Sequence, residues 1–181
     1  MKALIIGSSG QIGGVLTGQC ASRNIAVSGA GVGGEELRLD LAQPAAVKEV
    51  FAQARPDIVF LCSAMTYVDG CERDPELARR VNALGPAAVA AHCRARGARL
   101  VYLSTEYVFD GQAGPYGEDD PVNPVSVYGR TKLEGERAAL SLAAALVIRT
   151  TVVYSYAPAA KNFIMQLIAN HRSGTAMRVP K

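Results

Sequence analysis

The stretch Lys2-Ala-Leu-Ile-Ile6-Gly7-Ser-Ser-Gly10-Gln-Ile-Gly13-Gly14 decides the fold. Its first five residues form an apolar run of strand length that enters a glycine-rich turn directly, and the residues from Gln11 to Ser22 then read as a helix. Gly7 permits a tight turn, Gly10 lets backbone amides approach a pyrophosphate, and Gly13 lets the helix pack closely on the sheet. A phosphate held there sits on a helix N-terminus, where unpaired amides and the helix dipole attract an anion without help from a lysine. Taken alone, Gly-x-x-Gly-x-x-Gly also occurs in ordinary turns. Its place between the first strand and the first helix gives it weight.

Outward from this turn, strands and helices alternate. Ile25 to Ser28 reads as a second strand, followed by a flexible turn over Gly29-Ala-Gly-Val-Gly-Gly34. Val47, Val50, Phe51 and Ala54 recur at helical spacing, which predicts a crossover helix from Pro44 to Ala54. Asp57 to Leu61 is a strand, and Leu77, Val81, Leu84 and Ala88 mark one long helix from Pro75 to Ala95. Arg99 to Ser104 is a strand, Gly111 to Val125 a loop rich in proline and glycine, and Ala145 to Arg149 a strand that follows the helix bearing Tyr128 and Lys132. Continuous apolar strands separated by helices imply an α/β protein of Rossmann type. The expected fold is a doubly wound parallel sheet with helices on both faces and ligands at the carboxyl ends of the strands.

Composition narrows the function classes. With 181 residues and 49% apolar content the chain can bury one sizeable core and part of a second. The formal charge is only +3, and Arg94, Arg96 and Arg99 cluster at a helix end among alanine and glycine. That is the pattern of a solvated helix end, not of a nucleic-acid surface. Cys20, Cys62, Cys71 and Cys93 form no Cys-x-x-Cys pair and lie on apolar segments, as buried free thiols in a reducing compartment would; no metal is expected. The apolar run after Lys2 is too short for a signal peptide or a membrane span, so the expected address is cytoplasmic. Glu118-Asp119-Asp120 reads as a solvated loop, and His92 and His171 as ordinary helix residues. No internal repeat is present.

Tyr128 and Lys132 stand four residues apart, which puts a phenol and an ammonium on one helical face. A phenol left alone titrates near about 10, and a fixed cation beside it favours the phenolate. The same spacing is common on solvated helices, so the neighbouring motifs decide its meaning. Those motifs are Cys62-Ser-Ala-Met-Thr66-Tyr-Val-Asp-Gly-Cys71-Glu72, Ser104-Thr105-Glu-Tyr-Val-Phe-Asp-Gly111, Pro115-Tyr-Gly-Glu-Asp-Asp-Pro-Val-Asn-Pro124 and Val127-Tyr128-Gly-Arg-Thr-Lys132-Leu-Glu-Gly-Glu136. Together with the opening turn, and in this order, they resemble the extended short-chain dehydrogenase/reductases and, within them, the dTDP-4-dehydrorhamnose reductase family. The resemblance covers essentially the whole chain.

The resemblance implies an NAD(P)H-dependent reductase of a nucleotide-linked 4-keto-6-deoxysugar, serving dTDP-rhamnose biosynthesis. In it Tyr128 matches the acid that protonates the carbonyl oxygen, Lys132 the lysine that holds the nicotinamide ribose and lowers the tyrosine pKa, and Thr105 the hydroxyl that bonds the same oxygen. Gly7, Gly10, Gln11, Ile12 and Gly13 match the dinucleotide loop, Asp40 and Leu41 the adenine end, and Cys62, Ser63 and Ala64 the ribose side, while Thr66 and Val68 join Thr105 towards the sugar nucleotide. Two alternatives stay open: Asp40 as a helix cap and Thr105 as a buttress of its loop. Asn82 is assigned a structural hydrogen-bonding role. Ser28-Gly-Ala-Gly31 supplies neither the acid of an NAD site nor the arginine of an NADP site. With Arg38 nearby, NADPH is favoured over NADH.

Chains of this family run on past Asn162-Phe163 and Val179-Pro-Lys181 into a smaller carboxyl-terminal part. The expected organisation is therefore a dinucleotide-binding domain with the catalytic residues over 1–155 and the start of a truncated substrate-binding part over 156–181, the rest of that domain being missing. Expected partners are a nucleotide-sugar and, compatibly, a second copy of the chain; no nucleic acid and no membrane. Two other functions fit the resemblance. One is a non-catalytic NADP-binding regulatory subunit like the methionine adenosyltransferase beta subunit, and the other is a sugar-nucleotide epimerase that retains NAD.

Overall fold

Strand β1 (Lys2–Ile6) has no polar face, since Leu4, Ile5 and Ile6 are each 0% exposed. Leu4 and Ile6 join the main core on one side of the sheet, while Ala3 and Ile5 join a second cluster on the other. Burial on both faces is why the run is unbroken and does not alternate. The computed structural model describes residues 1–154 and 162–176. In chain order, β1 is followed by α1 (Gln11–Ala21), β2 (Ala26–Gly31), β3 (Leu37–Arg38), α2 (Val47–Ala54), β4 (Ile58–Leu61), α3 (Val68–Arg73), α4 (Pro75–Arg79), α5 (Gly85–Arg96), β5 (Arg99–Thr105), α6 (Val127–Leu140) and β6 (Ala145–Thr150).

The six strands form one sheet in the order β3-β2-β1-β4-β5-β6, and every neighbouring pair is parallel. Val50 and Phe51 of α2, Val89 and Cys93 of α5 and Ala139 of α6 fill the core on one face; Leu16 and Cys20 of α1 cover the other. From β1 the chain winds outward through β2 and β3, then returns to β4 on the opposite side. The order thus reverses between β1 and β4, which opens a crevice at their carboxyl ends.

Three features differ from the sequence expectation. Strand β2 continues through Gly31, where a flexible turn was expected after Ser28. Its ladder with β1 runs from Lys2↔Ala26 to Ile6↔Ala30, and the side chains of Ser8 and Glu35 occupy the places where a Cβ on Gly29 or Gly31 would stand. The expected long helix begins at Pro75 as the sequence predicts and is interrupted once, by a π-turn. Asp74 accepts from the Leu77 amide at 2.9 Å ahead of Pro75 and so starts α4, separating it from the unforeseen short helix α3. Between α4 and α5 the residues Arg80–Leu84 form a π-turn. Pro86 has no N–H to give the Asn82 carbonyl, Gly85 donates instead to Arg80, and the freed Asn82 oxygen accepts the buried Tyr102 hydroxyl at 3.3 Å.

The arginine cluster ties loops together: Arg94 donates to the Ser141 carbonyl at 2.7 Å and Arg96 to that of Pro56 at 3.0 Å. The chain divides into two compact units, Met1–Thr150 and Thr151–Lys181. In the second, Asn162 caps α7 (Phe163–Ser173) by accepting from the Met165 amide at 3.0 Å, and Gly174 ends it at φ 67°. Val179 to Lys181 lie outside the described residues. Among those residues no helix is long and apolar enough to cross a membrane.

Two glycines in helices should respond oppositely to a methyl group. On Gly135 it would meet the Asn82 carbonyl and come within 2.5 Å of Tyr102 Oη, whereas on the exposed Gly18 it would meet nothing within 4 Å. Gly135→Ala is expected to lower the unfolding free energy by about 1–3 kcal/mol, and Gly18→Ala to raise it by about 0.5–1 kcal/mol, both read by urea denaturation.

Candidate active site

Helix α6 carries the site, and its first turn is pinned from two directions. Ser126 accepts from the Gly129 amide at 3.0 Å, and Glu72 of α3 accepts from the Val127 amide at 2.7 Å. A side chain at Gly129 would strike the Tyr107 carbonyl, so its absence lets the one-turn helix Glu106–Val108 lie directly on α6. Tyr128, Lys132 and Glu136 then follow at four-residue spacing on the face turned towards β5 and β6.

Tyr128 is 8% exposed and packs with Cys71, Ala78 and Val127 against Met65 and Val68. Its ring meets that of Tyr107 edge-on, with centroids 5.5 Å apart. Burial pushes the phenol pKa up, the Thr105 hydrogen bond opposes this, and Glu106, Cys71 and Tyr107 add to it. The direction is the reverse of the one expected from a neighbouring ammonium. Burial of the phenol outweighs the ammonium, and Lys132 is itself 2% exposed and engaged elsewhere: its Nζ donates to the Leu103 carbonyl at 2.6 Å and stands 4.1 Å over the Tyr102 ring. Burial draws the Lys132 pKa down to about 7, against the opposing charge of Glu136. Glu136 is 1% exposed and chelated by Arg149 of β6, with Nη2 at 2.8 Å and Nε at 3.0 Å. Arg149 also donates to the Glu118 carbonyl at 3.1 Å, tying down the proline-rich loop.

At the crevice between β1 and β4, Gly7 takes φ 89°, and a Cβ on it would lie 3.0 Å from the Ser63 amide nitrogen. The turns after the two strands therefore touch. Gly13 presses against the Gly7 peptide, which holds Gln11 and Ile12 at the start of α1. That helix begins at Gly10 without a side-chain cap and with no acid in its first turn, so the donor set and the bare backbone fit a bound pyrophosphate. Cys62 is half-buried close enough to Lys132 to feel its charge, although burial dominates and raises the thiol to about 11. Asn82 clamps the turn after β4: its Oδ1 accepts from the Met65 amide at 2.8 Å, while Nδ2 donates to the Met65 carbonyl at 3.0 Å and to Thr131 of α6 at 3.3 Å.

The structure thus gathers Thr105, Tyr128, Lys132, Cys62 and Val68 around one end of the crevice and sets Ser63 and Ala64 beside the glycine turn. Thr66 is exposed. Asp40 and Leu41 lie past β3, at the far end of the row of loops. Asp40 accepts from the Ala42 amide at 2.8 Å, and the next helical turn has Gln43 as its cap, so Asp40 stabilises its own turn and not a helix. Thr105 caps the Glu106–Val108 turn, through the Tyr107 amide at 3.2 Å, and its hydroxyl donates to Glu106 at 2.9 Å.

Sequence reasoning missed Glu35, Glu72 and Glu106. Glu35 accepts from the Ser9 hydroxyl at 2.6 Å and the Gly33 amide at 2.6 Å, and the Ser9 hydrogen bond holds its carboxyl below the usual range. A carboxylate therefore does stand beside the glycine turn, where none was expected. Its position about twenty residues past the third loop glycine was the available signal. Nothing in the local sequence marks Glu72 as a cap for a helix this remote in the chain.

The chain matches the sequence family described as RmlD substrate binding domain over residues 1–181. It is 42% identical to the dTDP-4-dehydrorhamnose reductase of Streptomyces griseus over 168 residues, 91% of this chain and 53% of that protein. Likeness to methionine adenosyltransferase 2 subunit beta of Xenopus tropicalis is 37% over 157 residues, 84% of this chain and 47% of the other. Among solved structures, a dTDP-4-dehydrorhamnose reductase from Clostridium acetobutylicum superposes with a TM-score of 0.87 at 38% identity, covering 96% of this chain and 60% of that one. One from Bacillus anthracis, in complex with NADP, gives 0.84 at 30%, covering 95% and 60%. The chain spans about half the length of the curated relatives it matches.

The depressed Lys132 pKa has a consequence for stability. Between about pH 7 and the ordinary lysine range the unfolded chain binds more protons than the folded one, so this residue makes stability rise with pH across that window. Its full cost is present below about pH 7. Lys132→Met is expected to gain on the order of 2–4 kcal/mol at about pH 6, shrinking towards zero by about pH 11, in urea unfolding at each pH.

Proposed function

This chain belongs to the RmlD substrate binding domain family, and on that footing we propose that it is the dinucleotide-binding and proton-donating part of an NAD(P)H-dependent reductase acting on a nucleotide-linked 4-keto-6-deoxysugar, dTDP-4-dehydrorhamnose being the substrate best supported by its relatives. The observation that carries this reading is the buried Tyr128 phenol, on the same helical face as the buried Lys132 and at the same crevice as the bare glycine turn. Bound NAD(P)H supplies the hydride. The chain's own residues do the rest: the first amides of α1 hold the pyrophosphate, and Tyr128 gives its proton to the oxygen on which negative charge grows.

Lys132, with a pKa near 7, is an easily switched charge. An anion or a developing phenolate in its reach restores its proton and strengthens its pull. Met65 and Val68 pack around the phenol and keep water from it, while the exposed Thr66 offers a hydroxyl to the sugar nucleotide. Glu35 beside Ser9 and Arg38 on β3 are the charges that weigh the adenosine ribose, the first against a 2′-phosphate and the second for it. This reading sets the protein in the cytoplasm, with a homodimer as its assembly.

A second reading, a cofactor-binding subunit that serves a partner enzyme, follows from the likeness to methionine adenosyltransferase 2 subunit beta. NADPH oxidation on adding dTDP-4-dehydrorhamnose separates the two. Substrate-dependent oxidation supports the reductase; bound dinucleotide with no turnover supports the subunit.

Tyr128→Phe is expected to lower the reduction rate by about 10²–10⁴-fold while the dinucleotide dissociation constant stays within about twofold, since only the transferable proton is lost. Glu35→Gln should tighten NADPH relative to NADH by roughly threefold to tenfold in fluorescence titrations, because one negative charge near the ribose is removed.

A further inference from the structure

Between the Glu106–Val108 turn and α6 lie residues 109–125, with no helix or strand among them, and of residues 111–120 all but Tyr116 are exposed. A stretch this open loses its order unless side chains tie it down. Asp110 does so from within, accepting from the Tyr116 hydroxyl, from the Gln112 amide at 3.0 Å and from Asn123 Nδ2 at 3.0 Å. The Phe109 ring lies flat on that of Tyr116, with centroids 4.4 Å apart and planes 4° from parallel. The two ends of the loop also meet. The Asn123 amide donates to the Val108 carbonyl at 2.9 Å, and a Cβ on Gly129 would strike the Tyr107 carbonyl and lie 3.0 Å from Pro124 Cβ. The loop thus closes on the first turn of α6, beside Tyr128, as a compact unit with its own small interior.

Away from that base, Arg149 of β6 holds the loop. Its Nη1 donates to the Glu118 carbonyl at 3.1 Å, and its guanidinium carbon stands 5.2 Å over the centre of the Phe109 ring. Nε and Nη2 are taken by the buried Glu136 of α6, at 3.0 and 2.8 Å. One planar fork therefore joins β6, the helix that carries Tyr128 and the loop after β5. A lysine could answer the charge of Glu136, but it has neither the second donor edge nor the flat face that the loop uses.

We propose that Arg149 is a positioning residue for the sugar nucleotide: through Glu118 and Phe109 it sets the 109–125 loop as a fixed wall at the phenol end of the crevice, in register with the helix that carries Tyr128. The inference rests on the reductase reading and deepens it. Tyr107, whose carbonyl belongs to the base of the wall, lays its ring edge on Tyr128 and is 44% exposed, so a substrate oxygen that reaches the phenol passes beside it. A wall already in place orients the sugar without a loop having to be ordered on binding. Loosening it costs affinity for the sugar nucleotide and spares the dinucleotide, whose pyrophosphate is held at the turn after β1.

Amide exchange with water, read by NMR, tests the wall, and turnover tests its use. Arg149→Lys keeps a cation opposite Glu136 and gives up the fork, while Phe109→Leu keeps an apolar side chain and gives up the stack. In each variant the amides of Gln112, Ala113 and Asn123 should exchange about tenfold faster, while those of Val127 and Gly129 on α6 stay within about twofold. The KM for dTDP-4-dehydrorhamnose should rise about fivefold, with kcat and the dinucleotide dissociation constant within about twofold. The double variant should be little worse than the worse single one, because both changes break the same strap. Loop amides that keep their rates, or α6 amides that accelerate as much, would overturn the proposal. So would a loosened loop with an unchanged KM in an active protein. A wild-type chain that binds the dinucleotide and turns nothing over would instead defeat the reductase reading, and with it the part given to Arg149 towards the sugar.

Discussion

Burial of one face of α6 is the constraint on which the rest of this molecule depends. Two groups that water would keep near their ordinary pKa values, a phenol and an ammonium, are carried into an interior made by β5, the π-turn and the Glu106–Val108 turn. Each is moved against its charged form, Tyr128 upward and Lys132 downward, and burial is the leading cause for both. Such a cost persists only where close packing enforces it. Gly129 and Gly135 allow that packing, since a methyl group on either would collide with a carbonyl of the neighbouring element. The Glu136–Arg149 pair closes the same face further down, so that one charge inside the helix interface is answered by another.

The π-turn links this face to the crevice. Pro86 removes one helical hydrogen bond, and the helix widens by a residue at Asn82. The freed carbonyl is taken by Tyr102, under Lys132, while the side chain of the same residue holds both peptide groups of Met65 and touches Thr131. One asparagine therefore sets the distance between the turn after β4 and the helix with the phenol. The Glu72 cap fixes the same helix at its first residue, one turn before Thr131.

The doubly wound sheet was legible because its causes are local. A strand buried on both faces writes an unbroken apolar run, and the turn at Gly7 needs a residue that tolerates φ 89°. What the sequence hid was set by distant partners. Strand β2 reaches Gly31 because β1 pairs with it and Ser8 and Glu35 fill the space over its glycines, none of which alters its own composition. The Tyr128 and Lys132 spacing was plain to see, yet the direction in which the phenol shifts was not, because burial is a property of the whole fold. Glu106 sits within a recognisable motif, but its contact with the Thr105 hydroxyl follows only from how the turn after β5 folds.

The central claim is that the phenol and the bare glycine turn serve one ligand, laid along the carboxyl ends of the strands. Intermolecular nuclear Overhauser effects between NADP⁺ and this chain test it most directly. The account predicts contacts from the nicotinamide ring protons to the Tyr128 ring, and from the adenine protons to Leu41 at the opposite end. A bound dinucleotide whose nicotinamide protons reach other residues but not Tyr128 would contradict it.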